Sequence, residues 1–234
     1  MMNSLFHLEG YGGLLLSGAW MTIKLSLLSF FCAMLLGVIT ALAKRAKSTT
    51  LYLITSAYTT LIRGVPDLVL MLLLFYGIQS WVGDVCMYFG WEYIVIDPFH
   101  AGVITLAFIY GAYFSETFRG ALQSIPKGQI EAALAYGLTN IQSFRFVIFP
   151  QMMRLSIPGI SNIWQVMIKA TALVSIIGLN DLINAAVEAG KSTNNVFSFL
   201  LLAGAMYLAY TMVSNAVFSK LNRYFHVGIK ESKS

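Results

Sequence analysis

The chain has 234 residues, 58% of them hydrophobic and only 11% charged, with a mean hydropathy of +0.73. A water-soluble domain carries about a quarter charged residues, so a solvated surface cannot be covered and an all-α membrane protein is expected. The net charge of +5 comes from short polar breaks between apolar runs, not from a basic face interleaved with aromatics, and a nucleic-acid-binding reading is excluded.

Five apolar runs are long enough to cross a hydrocarbon core about 30 Å thick, which takes roughly 20 helical residues. The first covers 14–43. Ala41-Leu42-Ala43 resembles a signal-peptidase site, but residues 1–23 contain no Lys or Arg and Lys44-Arg45-Ala46-Lys47 follows directly. A retained first span with a positive stop is therefore expected. Lys24 within it is read as snorkelling. Cys32 and Cys86 fall in different segments without a CxxC, so small packing residues are expected rather than a metal site or a disulfide.

The second run, 51–82, contains Arg63-Gly64-Val65-Pro66-Asp67. Pro66 removes a backbone donor and can bend the span, while Gly64 permits close packing. Arg63 and Asp67 stand at i,i+4 and could pair, either to hold the kink or to act beside a pathway. The third run, 99–122, carries Glu116, an intramembrane charge that must be paired or wetted.

The stretch 123–154 is a polar break longer than a connection needs. Ile130, Ala133, Leu134 and Gly137 share a face at helical spacing. Gly137 suits a helix C-terminus, and Thr139 or Asn140 can cap a second short helix. Ile141, Phe144 and Ile148 give that helix an apolar face before Pro150. A paired-helix docking element at the membrane surface is expected.

The fourth run, 155–179, is polar for a span. Ser161, Gln165 and Lys169 stand at i, i+4 and i+8, with Asn162 beside them, and Pro158-Gly159 near its start. Such a stripe suits a translocation path for a zwitterion, or hydrogen bonding between helices. Lys169, like Glu116, could also pair across a subunit interface. Before the fifth run, 197–221, Ala185-Ala186-Val187-Glu188-Ala189-Gly190-Lys191-Ser192 matches a relaxed phosphate-loop pattern. No strand precedes it and Glu188 would repel phosphate, so nucleotide binding is not expected there.

Lys44, Arg45, Lys47, Arg119, Lys127, Arg145, Arg154, Lys220, Arg223, Lys230 and Lys233 fall on one side of this arrangement. Lys191 faces Glu9, Asp84, Glu92, Asp97, Asp181 and Glu188 on the other. The positive-inside rule then places the amino terminus outside and the carboxyl terminus in the cytoplasm. His7, His100 and His226 are scattered and no catalytic or metal-ligating cluster is present, so neither catalytic residues nor metal nor cofactor is expected.

At 123–154 the sequence resembles a known family. Glu131-Ala132-Ala133, Gly137 and Val147-Ile148-Phe149-Pro150 stand at the spacing of the EAA loop of bacterial ABC importer permeases, with Val147 and Phe149 as conservative departures. Arg63-Gly64-Val65-Pro66-Asp67, Tyr113-Phe114-Ser115-Glu116-Thr117-Phe118-Arg119-Gly120, Ser124-Ile125-Pro126-Lys127-Gly128-Gln129 and Lys169-Ala170-Thr171-Ala172-Leu173-Val174-Ser175 resemble its polar-amino-acid branch. The stretch 58–71 is similar to the Q-type permeases of histidine/lysine/arginine/ornithine importers, and the likeness runs from the first span to Gly228.

The resemblance implies a single type I importer transmembrane domain over 1–234, in a bacterial inner membrane. It implies a second permease of a different, M-type kind, two cytoplasmic ATPase subunits seated on the EAA loops, and a periplasmic amino-acid-binding protein. Glu131, Ala132, Ala133 and Gly137 then become ATPase-coupling residues, and Asn162, Gln165, Lys169, Asp67 and Glu116 pathway residues. Related permeases with a cationic pocket carry Glu after the asparagine that Asn162 resembles. Here Ile163 stands instead, which implies an acidic contact from the partner permease. The competing class is a stand-alone secondary transporter or channel. Such proteins are commonly built from internal repeats, which this chain lacks.

Overall fold

The computed structural model describes residues 10–46 and 48–226. Glu9, Lys47, Lys230 and Lys233 of the charge pattern, with His7 and Gly228, lie outside the described residues, as does the side chain of His226. The described chain is helical: α1 Gly12–Arg45, α2 Thr49–Gly64, α3 Asp67–Phe89, α4 Pro98–Gln123, α5 Lys127–Ala135, α6 Asn140–Ser143, α7 Phe149–Ala170, α8 Leu182–Ser192 and α9 Val196–His226. Five stretches are long and apolar enough to cross a membrane: Gly12–Arg45, Asp67–Phe89, Pro98–Gln123, Asn140–Ile177 and Val196–Phe225.

α1 is built as lipid-embedded helices are. Gly18, Thr22, Ser26, Ser29, Ala33, Gly37 and Ala41 are buried along one face, while Leu16, Trp20, Phe31, Leu35 and Ile39 stand exposed on the other. Small residues let helix backbones approach where no hydrophobic effect drives association. A Cβ on Gly37 would sit 2.5 Å from the Phe114 Cβ, so this glycine sets how closely α1 meets α4. α4 is the central helix, buried over most of its length against α1, α7, α2 and α3. Around it Phe30, Phe114, Phe118 and Trp164 form the aromatic part of the core. Lys24 is exposed and lies over the Trp20 ring. Both cysteines are free, with Cys86 buried and Cys32 exposed.

The expected second span, 51–82, is not one helix. Proline disfavours helical dihedrals in the residue before it, and Val65 is extended at φ −113° and ψ 141°. α2 ends at Gly64, and α3 starts anew at Asp67. Among the expected spans, 155–179 also starts too late. The short helix expected to stop before Pro150 instead runs on through a π turn, Phe144–Ile148, into α7. Phe149 N–H there bonds the Phe144 carbonyl, so the ladder is re-registered where proline has no N–H to give. A 3₁₀ turn, Thr171–Ile177, then ends at Gly178 with φ +96°.

The segment 185–192 that matches a phosphate loop lies in α8. Ala185, Ala186, Ala189 and Gly190 are buried against α1 and α9, so its small residues serve helix packing.

Candidate functional site

Three sets of residues carry the candidate chemistry. The first is the turn between α5 and α6. Leu138 N–H bonds the Ala133 carbonyl at 3.1 Å and Gly137 N–H bonds the Leu134 carbonyl at 2.9 Å. This pair of bonds is a Schellman motif, and it requires the left-handed φ of +79° that Gly137 adopts. Thr139 and Gln142 then close a reciprocal capping box on α6: Gln142 N–H donates to Thr139 Oγ1 and Thr139 N–H donates to Gln142 Oε1 at 2.9 Å. The turn is therefore fixed from both sides. Leu134, Tyr136 and Ile141 project from it, with Tyr136 89% exposed.

Glu131, Ala132 and Gly137 share that outward surface, but Ala133 does not. Ala133 is buried and Ile130 packs on the core, so the face expected to hold Ile130, Ala133 and Leu134 together is split. The small size of Ala133 serves contact within the chain. Gly137 has open space around it.

The second set lies on α7. Leu155, Pro158, Asn162, Val166 and Lys169 form one exposed stripe at helical spacing. Gln165 does not belong to it: its amide donates to Asn215 Oδ1 on α9. The expected grouping of Gln165 with Lys169 is thus divided by the fold, and Asn215 is a partner that no sequence spacing identified. Gly159 lets α7 close on α4, since a Cβ there would meet Thr117 Cγ2 at 2.6 Å. Ile163 is buried in the core, pointing away from the face that Asn162 presents.

The third set clamps α1, α2 and α4. Lys44 donates to Glu116 Oε1 and to Thr59 Oγ1, each at 2.5 Å, and Arg119 holds the second Glu116 oxygen at 2.7 Å. Lys44 is only 6% exposed and Glu116 17%. A buried ion pair contributes little net stability, but removing one partner leaves an uncompensated charge. Further along, Tyr110 donates to Asp67 at 2.7 Å, and the Arg63 guanidinium lies over the Tyr113 ring. Arg63 and Asp67 make no ion pair with one another among the described residues. Arg63, Tyr113, Glu116, Arg119 and Lys44 line a polar cavity of about 580 Å³ between α2 and α4.

At the opposite end of the bundle Asp97 caps α4, accepting from the Phe99 and His100 N–H groups at 3.1 and 3.2 Å. The His100 hydrogen bonds hold its carboxyl below the usual carboxylate range. Among the described residues no group of His, Cys, Asp and Glu could hold a metal ion.

A model of the family described as binding-protein-dependent transport system inner membrane component matches residues 33–230. The histidine/lysine/arginine/ornithine transport system permease HisQ of Salmonella typhimurium is 52% identical over 225 residues, covering 96% of this chain and 99% of that protein. The octopine transport system permease OccQ of Rhizobium radiobacter is 36% identical over 214 residues, covering 91% and 90% respectively. A crystal structure of an amino acid ABC transporter with histidines superposes with a TM-score of 0.77 at 34% identity, covering 92% of this chain and 95% of the other.

Proposed function

This chain belongs to the binding-protein-dependent transport system inner membrane component family, and from that membership we propose that it moves basic and polar amino acids, with histidine, lysine, arginine and ornithine as the substrate set. It is a permease subunit of an amino acid ABC importer, a multi-pass membrane protein, and ATP hydrolysis is carried by a separate subunit. A binding protein delivers the solute. The stand-alone channel or secondary transporter is not favoured.

The observation that carries the coupling role is the fixed α5–α6 turn. Two capping motifs hold Leu134, Tyr136 and Ile141 rigidly outward, and exposed large apolar groups at a polar break mark a partner surface. Glu131, Ala132 and Gly137 lie on it as ATPase contacts. Ala133 supports it from beneath. The turn faces the cytoplasm, because Lys44, Arg45, Arg119 and Lys127 gather around one cavity at this end, and the family and relatives imply a bacterial inner membrane. That orientation makes the α5–α6 turn part of the cytoplasmic loop of a single importer domain.

The exposed α7 stripe with Asn162 and Lys169 faces a second, M-type permease across the pathway. Gln165, Asp67 and Glu116 line or brace that pathway from within this chain. With Ile163 turned into the core, the acidic group that balances a cationic solute comes from the partner.

The test is uptake of labelled arginine and histidine by proteoliposomes holding both permeases, the ATPase and the binding protein. ATP-dependent uptake is expected, with none from this chain alone. Lys169→Gln is expected to change uptake several-fold while leaving thermal stability unmoved, since Lys169 is exposed and makes no ion pair among the described residues. Uptake by the chain without ATPase would sink the assignment, and unaltered uptake in Lys169→Gln would remove Lys169 from the pathway.

A further inference from the structure

At the end of the bundle that carries the α5–α6 turn, a cavity of about 450 Å³ opens among α1, α2, α4 and α5. Neither the coupling surface nor the α7 stripe uses it. Its lining is basic, with Lys44, Arg45, Arg119 and Lys127, and also includes the apolar Leu122 and Ile125. Glu116 takes Lys44 and part of Arg119. Arg45 and Lys127 have no acidic partner among the described residues, so positive charge is in excess.

Depth and chemistry narrow the occupant. Lys44 and Arg45 end the long apolar α1, and Arg119 lies near the end of α4. The cavity therefore sits where two spans leave the hydrocarbon, the level at which headgroup phosphates stand. A free anion would be served by the basic groups alone. A lipid also needs an apolar wall, because the glycerol and the first methylenes follow the phosphate.

We infer that this cavity binds the phosphate of an anionic glycerophospholipid. Arg45 and Lys127 are its principal contacts, with the part of the Arg119 guanidinium not held by Glu116 completing the cradle. One headgroup then ties the end of α1 to the start of α5. The site goes beyond the transport reading and does not depend on which solute moves.

The test uses the full chain in its assembled complex, titrated in detergent with phosphatidylglycerol or phosphatidylcholine, with bound lipid counted by native mass spectrometry. Preferential retention of phosphatidylglycerol is expected. Arg45→Gln/Lys127→Gln should weaken that retention on the order of five-fold for each charge removed, with phosphatidylcholine unmoved. Lys220→Gln/Arg223→Gln removes the same charge from α9, away from the cavity, and should change nothing. All four side chains are exposed, and elution of the intact complex checks folding. Equal retention of the two lipids, or equal losses in both double variants, overturns the site. Displacement by glycerol phosphate at matching concentration assigns the cavity to a soluble anion and overturns the lipid. Retention only after the ATPase is stripped away assigns it to a protein contact, with the same consequence.

Discussion

Asp181 is fully buried where α8 begins. One of its carboxylate oxygens accepts the Asn184 N–H at 2.9 Å, and the other has no hydrogen-bond donor among the described residues. Burial pushes the carboxyl up to about 6, from an ordinary value of 3.8. The folded chain thus holds this proton more tightly than the unfolded chain. Stability from it is complete below the ordinary value and is lost as pH rises through about 6, by up to ~3 kcal/mol. In detergent the chain is expected to melt at a higher temperature at about pH 5 than at about pH 7.5. Asp181→Asn keeps a capping side chain and should flatten the difference; an unchanged profile in that variant would assign the effect elsewhere. The clamp at Glu116 shows how far single residues were legible. Glu116 could be read as an intramembrane charge that must be paired or wetted. Its partner could not, because the pairing of position 44 with 116 depends on how α1 registers against α4. The same holds for Tyr110 on Asp67 and Asn215 on Gln165.

Among the elements, the turn at Gly137 has the sharpest consequence. A side chain there meets open space, yet the φ of +79° strains most L-residues, by roughly 1–2 kcal/mol. Asparagine tolerates that region better than other non-glycine residues. Gly137→Asn is therefore expected to keep ATP hydrolysis coupled to uptake. Gly137→Val should lower the number of solute molecules moved per ATP by several-fold while the spans remain inserted. Measuring both rates on one preparation separates coupling from simple loss of protein, and equal coupling in the two variants would remove the turn geometry from the account. This turn was legible because its signals are local: a glycine after a helix, then a capping threonine. Pro66 announced an interruption, but whether a proline bends a helix or ends it depends on neighbours, and here it ends α2. Pro150 read as a stop for the converse reason. A π turn absorbs its missing donor, and nothing in the local composition encodes that.

For the whole molecule, length, hydropathy and the placement of charge were enough to expect five membrane helices. The outward faces were not legible: α3 buries only Leu70, Met71 and Cys86 and packs chiefly on α4 and the 3₁₀ turn, and a single sequence does not say whether lipid or a second subunit covers the rest. Orientation is a property at this scale and can be tested alone. In a Cys32→Ser background, Tyr136→Cys is expected to react with a membrane-impermeant maleimide only after the cells are opened. Lys191→Cys should react in intact spheroplasts. The reverse pattern would invert the assignment of the two ends. The re-registered helix from Asn140 to Ile177 has a mechanical consequence. Its 38 residues make a strut roughly 60 Å long that starts beside the turn proposed to meet the ATPase. A tilt of about 5° at that end sweeps the far tip by roughly 5 Å, about one helical turn. A lever of this length turns a small displacement at one end into a large one at the other.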